Sequence, residues 1–168
     1  MNDYSRVNKE GFLDKAIRLV ACVAGVMIAG WLVGSFGGAT MGYTGLIRPA
    51  FTPPDIVFSI VWPILYALMG VSLYLTISEK GENNGVRVAS FVLFALQLSL
   101  NLLWVPIFFR LREYFVAFII LALTLALVSA LITVNFKINR WSAILLIPYL
   151  AWLIFAVYLN VSIVALNG

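Results

Sequence analysis

The chain has 168 residues, of which 63% are hydrophobic and only 11% are charged. A soluble domain carries about 25% charged residues, so this sequence cannot cover a water-facing surface, and a soluble globular fold is excluded. The net charge of +4 and the isoelectric point near 9.4 do not indicate a nucleic-acid partner. The basic residues flank apolar runs, which is the pattern of a membrane protein.

Five segments contain no Asp, Glu, Lys or Arg, and each exceeds the roughly 20 residues that cross a bilayer as a helix. They do not alternate apolar and polar residues as the strands of a membrane barrel do. The sequence therefore predicts an all-α membrane protein, a bundle of five transmembrane helices. Residues 1–18 form a polar N-terminal tail, not a cleavable signal peptide, and residues 19–168 form the transmembrane domain. The charge-free segments are residues 19–47, 56–78, 88–109, 114–136 and 141–168.

The first and fourth predicted helices each carry a row of small residues at four-residue spacing. Such rows let helix backbones approach closely, either within one chain or between the two copies of a homodimer. The rows are Gly30, Gly34 and Gly38 in the first helix, and Ala122, Ala126 and Ala130 in the fourth.

The connection between the first two helices contains the stretch Thr52-Pro-Pro-Asp55. Thr52 is predicted to cap the second helix, with Pro53 and Pro54 in its first turn and Asp55 at the positive end of the helix dipole. One interpretation is a rigid helix start and nothing more. The other is a stiff flap over the mouth of the bundle, favoured because residues 42–47 are apolar for a loop.

Three helices carry aromatic and amide residues on one face. Residues three or four apart are neighbours on a helix, and amides in hydrocarbon are costly unless paired, so these faces are predicted to point into the bundle. The amides are either interhelical glue or polar anchors for a ligand, and the aromatic rings are either core packing or the walls of a pocket for a flat molecule. The faces are Phe58, Trp62 and Tyr66; Gln97, Asn101, Trp104 and Phe108; and Tyr149, Trp152, Ala156 and Leu159 or Asn160.

Three prolines lie within predicted helices. A proline leaves the carbonyl four residues earlier without its helical partner and can kink the helix, which opens room between neighbouring helices. The prolines are Pro63, Pro106 and Pro148.

The distribution of Lys and Arg predicts the orientation. Eight lie on the side of the N-terminus and three on the other side, so the positive-inside rule places the N-terminus in the cytoplasm and the C-terminus outside. We expect a multi-pass protein of a prokaryotic cell membrane.

The sequence lacks the residues that several kinds of transport and catalysis require. The sequence has no histidine and no ionisable Asp, Glu, Lys or Arg inside a span, which argues against a proton-coupled drug antiporter. It also shows no acid–base pair, no nucleophile–base set and no metal-ligand cluster, so no catalytic or metal-binding residue is predicted.

Three motifs carry a resemblance to the TspO/MBR family of membrane proteins, which includes tryptophan-rich sensory proteins and translocator proteins. The first motif begins as Arg48-Pro-Ala-Phe-Thr-Pro-Pro-Asp55 and continues through Val61-Trp-Pro-Ile-Leu-Tyr66. The others are Asn101-Leu-Leu-Trp-Val-Pro-Ile-Phe-Phe109 and Pro148-Tyr-Leu-Ala-Trp-Leu-Ile-Phe-Ala156-Val-Tyr-Leu-Asn160.

The resemblance implies a five-helix bundle, often a homodimer, with a pocket that opens toward the first loop. It implies porphyrins and benzodiazepine-type drugs as ligands and, in animal members, cholesterol. Pro53 would lie at the edge of a lid, and the helical faces would line the pocket. Spacing and resemblance together predict as ligand-binding residues Pro53, Phe58, Trp62, Tyr66, Gln97, Asn101, Trp104, Phe108, Trp152, Ala156 and Leu159.

The sequence departs from the family at three places. Tryptophans that are usual before and within the proline loop correspond here to Gly42 or Tyr43 and to Phe51. No charged residue follows Tyr158, as the C-terminal cholesterol motif requires, so sterol is not expected as the main ligand.

The leading hypothesis is a membrane binding protein, a sensor or carrier for porphyrin-like tetrapyrroles such as protoporphyrin IX and for other flat hydrophobic ligands. It needs no cofactor, and its partners are the ligand, membrane lipids and, in a homodimer, a second copy. One alternative is a porphyrin-degrading enzyme that uses Trp62, Trp104 or Trp152. The other is a regulatory membrane partner with an incidental pocket.

Overall fold

The computed structural model describes residues 3–39, 42–79 and 84–167. Within them lie five helical segments long and apolar enough to span a membrane, which confirms the predicted all-α five-span bundle. The helices are α1 (Asp3–Phe36), α2 (Asp55–Ser78), α3 (Asn84–Phe109), α4 (Tyr114–Asn135), α5 (Arg140–Leu145) and α6 (Ile147–Asn167).

The first and last spans are not single helices confined to the predicted transmembrane segments. Residues 3–18, predicted as part of a polar tail, are helical and continuous with the first apolar helix, in which residues 11–36 are long and apolar enough to span a membrane. The fifth span, residues 140–167, is divided into α5 and α6 at Leu146. The division coincides with Pro148, which has no N–H to bond the preceding turn and lies in the first turn of α6 instead.

The helices pack in a ring in the order α1, α2, α5 with α6, α4 and α3, and α3 closes the ring against α1. Two glycines allow α1 and α2 to approach closely. A side chain at Gly70 would overlap the backbone of Val23, and one at Gly30 would overlap the ring of Tyr66. Gly30 therefore serves packing within the chain.

The other small residues do not have this role. A side chain at Gly34 would meet nothing within 4 Å, and Gly38 lies beyond α1 with a φ of +90°. Ala126 and Ala130 are exposed on α4, so they are available to a second copy but do not serve packing in this chain.

The expectation that Thr52 caps α2 is wrong. The helix begins at Asp55, and its N-cap residue is Pro54, with a ψ of 148° and no side-chain cap. Pro53 precedes a proline, which disfavours the helical region for Pro53, so the helix does not begin there after a cap at Thr52. The Thr52 hydroxyl instead donates to the carbonyl of Pro49 at 2.7 Å.

A buried polar cluster joins the helices at the end of the bundle opposite the first loop. Hydroxyls of Ser72 and Thr76 on α2 lie 2.9 and 2.8 Å from the hydroxyl of Ser142 on α5. Asn135 on α4 donates to that same hydroxyl at 2.8 Å and accepts from Ser90 on α3 at 2.6 Å. The cluster ties four helices together there, while the other end of the bundle contains the cavity described next.

Candidate functional site

A cavity of about 540 Å³ lies between the first-loop halves of α1, α2 and α3. Pockets for small organic molecules have volumes of roughly 300–1,000 Å³, so this one is large enough for such a ligand. The first loop (residues 42–54) closes one end. The lining residues are Met27, Gly30, Trp31, Gly34, Ser35, Ala39, Gly42, Tyr43, Asp55, Phe58, Ser59, Trp62, Pro63, Tyr66, Trp104, Val105 and Phe109.

The aromatic face of α2 forms one wall. Phe58, Trp62 and Tyr66 are four residues apart, so they lie above one another on the helix. Trp62 stacks on Tyr66 with ring centroids 5.5 Å apart, and it meets Trp152 of α6 edge-to-face at 6.5 Å. Phe58 also meets Trp152 edge-to-face at 5.6 Å. Trp152 therefore supports this wall, but it does not line the cavity.

Trp104 forms the wall on α3 and is fixed in position on two sides. Its ring stacks on Phe108 with centroids 4.9 Å apart. Its indole N–H donates to Oδ1 of Asn160 at 3.0 Å, and the amide of Asn160 donates to the carbonyl of Tyr114 at 2.9 Å. Because the Trp104 N–H is already bonded, this residue offers a ligand an aromatic surface and not a hydrogen bond.

One buried hydrogen bond joins α2 to α3 beside the cavity. The hydroxyl of Tyr66 donates to Oδ1 of Asn101 at 3.0 Å, and both residues are buried. Gly30 leaves room for the Tyr66 ring on its other side. Asn101 therefore acts as interhelical glue that positions a cavity-lining tyrosine.

Among the described residues, three other buried polar groups have no hydrogen-bond partner. They are the side-chain amide of Gln97, the hydroxyl of Tyr149 and the indole N–H of Trp152. Gln97 is one helical turn from Asn101 on the same face, yet it forms no interhelical bond. None of the three lines the cavity, so these unpaired groups lie behind its walls.

The first loop is packed into the bundle through Tyr43. The Tyr43 ring is buried against Phe58, Phe108 and Phe109 at centroid distances of 5.8 to 6.0 Å. The guanidinium of Arg48 lies over the outer side of this ring and bonds the carboxylate of Asp55 at 3.2 Å. The apolar loop therefore covers this end of the bundle, as the flap interpretation predicts.

The loop is also hydrogen-bonded to α6. The side chain of Asn167 accepts from the N–H of Ile47 at 2.8 Å and donates to its carbonyl at 3.1 Å. The hydroxyl of Tyr158 donates to the carbonyl of Ala50 at 3.1 Å. These three bonds hold the loop against the end of α6.

Burial of Tyr43 leads to a pH-dependence prediction. Burial and the nearby Asp55 carboxylate raise the pKa of the Tyr43 phenol to about 12 from a usual value of 10, against the opposing effect of Arg48. The unfolded chain loses this proton first, so the stabilisation is complete below pH 10 and is lost as the pH rises toward 12. In SDS-unfolding titrations, wild type should lose more stability over this interval than Tyr43→Phe. Identical pH profiles would contradict the assignment.

The structure separates the predicted site residues into two groups. Phe58, Trp62, Tyr66 and Trp104 line the cavity. The others lie behind its walls or at its end: Asn101 and Phe108 are buried against lining rings, Gln97 and Leu159 are buried, Trp152 and Ala156 pack against the core, and Pro53 is half-buried in the first loop. As ligand contacts, all eleven residues remain predictions.

Most residues at the site were not among those predicted, and three of them are informative. Tyr43 was considered only as part of an apolar loop, and nothing in its local sequence shows that it turns inward. Asn160 follows Trp152 and Ala156 at regular four-residue spacing, a signal that favoured it over Leu159. Gly30 was recognised as a small residue, but its partner Tyr66 is 36 positions away.

Comparison with known proteins supports the resemblance. The sequence profile of the TspO/MBR family matches residues 20–166. The chain is 34% identical to the tryptophan-rich protein TspO of Chlorobaculum tepidum over 92% of this chain and 99% of that protein. It is 36% identical to the protein of that name in Archaeoglobus fulgidus over 90% and 98% of the two chains. It is 37% identical to the human translocator protein over 78% and 79%. With this match and its five spanning helices, the chain belongs to the TspO/MBR family of integral, multi-pass membrane proteins.

Proposed function

We propose that this protein binds porphyrin-like tetrapyrroles and other flat hydrophobic molecules, as a membrane sensor or carrier. The observation that carries the proposal is the cavity of about 540 Å³ with aromatic rings on two facing helices, Trp62 and Tyr66 on α2 and Trp104 on α3. Rings on two sides favour a flat, polarizable ligand over a branched aliphatic one.

Selectivity would come from shape and stacking. A hydrophobic ligand is already dissolved in lipid, so its transfer into an apolar cavity gains little hydrophobic free energy. Each aromatic stack contributes about 0.5–1.5 kcal/mol, and each neutral hydrogen bond contributes a similar amount. The hydroxyls of Ser35 and Ser59, which line the cavity, are candidates for such bonds. Affinity is therefore expected to depend on a few named side chains.

The membrane context and the relatives support this proposal. Five spans and family membership make the chain a multi-pass membrane protein. The name translocator protein, carried by the human relative, is consistent with a carrier. We place the protein in a prokaryotic cell membrane with the N-terminus in the cytoplasm, because basic residues are more numerous on that side. The first loop and the closed end of the cavity would then face outward.

The proposal is tested by titrating the protein in lipid nanodiscs with protoporphyrin IX and following tryptophan fluorescence, since Trp62 and Trp104 line the cavity. Saturable quenching with one ligand per chain is expected. Quenching that rises linearly, in parallel with porphyrin uptake by empty nanodiscs, would show partition into lipid and would reject the proposal.

A further inference from the structure

The cavity has an opening on one side of the bundle. Its exposed lining residues all belong to two neighbouring helices, whereas the lining residues from α3 and the first loop are buried or half-buried. In the part of the chain that the structure describes, the opening therefore runs between α1 and α2, from Ser35 and Asp55 beside the first loop to Met27 and Pro63 deeper in the bundle. The exposed lining residues are Met27, Trp31 and Ser35 on α1, and Asp55, Ser59 and Pro63 on α2.

This opening extends well below the ends of the helices. Met27 lies nine residues before the end of α1, and Pro63 lies eight residues after the start of α2. At a rise of 1.5 Å per residue, these positions are about 14 and 12 Å along the helices from the first-loop end. Such a depth is level with acyl chains and not with the aqueous phase.

The sequence explains why α1 and α2 are close at one level and apart at another. Gly70 brings α2 against Val23, and Gly30 receives the Tyr66 ring. One turn further along α1, Gly34 lines the cavity and has open space where a side chain would be. A glycine at this position therefore keeps the gap between the two helices clear.

Compared with the gap between α1 and α2, a route into the cavity past the first loop is obstructed. The loop is held to α6 by the bonds from Asn167 and Tyr158, and Tyr43 fills its underside. Opening that end requires three hydrogen bonds to break and a buried ring to leave its aromatic neighbours. The gap between α1 and α2 needs no such rearrangement.

We infer that the ligand enters and leaves from the lipid layer, sideways between α1 and α2, past Trp31 and Gly34. This inference rests on the proposed function. It means that the protein exchanges its ligand with the membrane and that the first loop is a fixed cover and not a moving lid. An obstacle at position 34 should consequently slow passage in both directions.

The test measures association and dissociation rates of protoporphyrin IX in nanodiscs by stopped-flow tryptophan quenching. The obstructing variant is Gly34→Phe, and the matched control is Gly25→Phe, because Gly25 is also on α1 with open space around it but lines no cavity. A third variant, Asn167→Ala, removes two of the three hydrogen bonds that hold the first loop to α6. None of these changes removes a tryptophan, so the signal is comparable among them.

We expect Gly34→Phe to slow association and dissociation at least threefold, while Gly25→Phe and Asn167→Ala exchange ligand like wild type. Faster exchange in Asn167→Ala, with Gly34→Phe unchanged, would overturn the inference in favour of entry past the loop. A raised Kd and faster dissociation in Gly34→Phe would also overturn it, since position 34 would then contact the seated ligand. These outcomes presuppose saturable binding by wild type, whose absence would instead reject the proposed function.

Discussion

Trp62→Ala should weaken binding of protoporphyrin IX about tenfold. Trp62 lines the cavity and also contacts two neighbouring rings, since it stacks on Tyr66 and meets Trp152 edge-to-face. Its loss removes one ligand contact and frees the Tyr66 ring to move. Loss of about 1.4 kcal/mol, near the upper end of a single aromatic interaction, corresponds to a tenfold change in Kd.

The measurement should not depend on tryptophan fluorescence, because the substitution removes a tryptophan. The shift of the porphyrin absorption band on binding in nanodiscs gives Kd independently. Trp141→Ala is the matched control, since Trp141 is exposed on α5 and does not line the cavity. Equal affinity of the Trp62 and Trp141 variants would show that the ligand does not occupy this cavity.

Asn101→Leu should destabilise the protein by about 1–3 kcal/mol, whereas Gln97→Leu should leave its stability unchanged or raise it. The two amides are one turn apart on the same buried face of α3, but they differ in their bonds. Asn101 accepts from Tyr66, so its removal leaves a buried hydroxyl without that partner. Gln97 has no partner in the structure, so its removal takes away an unsatisfied buried group.

The free energy of unfolding by SDS in mixed micelles, measured without ligand, tests this pair. Both variants introduce leucine on the same buried face of α3. Leucine adds more volume at position 101 than at position 97, but the higher helix propensity that it brings at position 101 works against the expected loss of stability. If Gln97→Leu loses as much stability as Asn101→Leu, Gln97 has a structural role that its contacts do not show. If neither variant loses stability, the Tyr66–Asn101 bond contributes nothing measurable.

These two results would separate positioning from binding. Trp62 lines the cavity and is expected to act on affinity. Asn101 lies behind the cavity and is expected to act on stability through Tyr66. The predicted ligand-binding residues include both residues that line the cavity and residues that support its walls. Helical periodicity identifies positions that face into the bundle, but it does not distinguish these two roles.

Much of the fold was determined by the sequence alone. Five charge-free runs predict five spans because a bilayer excludes unpaired charge, and this holds whatever the helices pack against. The inward faces of α2 and α3 also follow from local periodicity, and Phe58, Trp62, Tyr66 and Trp104 do line one cavity. The start of α2 also follows from local sequence, because Pro54 disfavours the helical region for Pro53 and the helix begins at Asp55.

Only the tertiary structure decided where the empty space lies. Trp152 and Trp62 both lie on helical faces that are predicted to point into the bundle, but Trp152 packs behind the cavity wall. The reason is that α6 contacts α2 at this level, whereas the cavity separates α2 from α1. Three contacts at the site join residues that are far apart in the chain. Buried Tyr43 packs against Phe58, 15 positions away, Trp104 bonds Asn160, 56 positions away, and Tyr66 fits against Gly30, 36 positions away. No local pattern predicts these contacts. A cavity is the volume that several helices leave unfilled, so it depends on contacts between segments and not on the periodicity of any one of them.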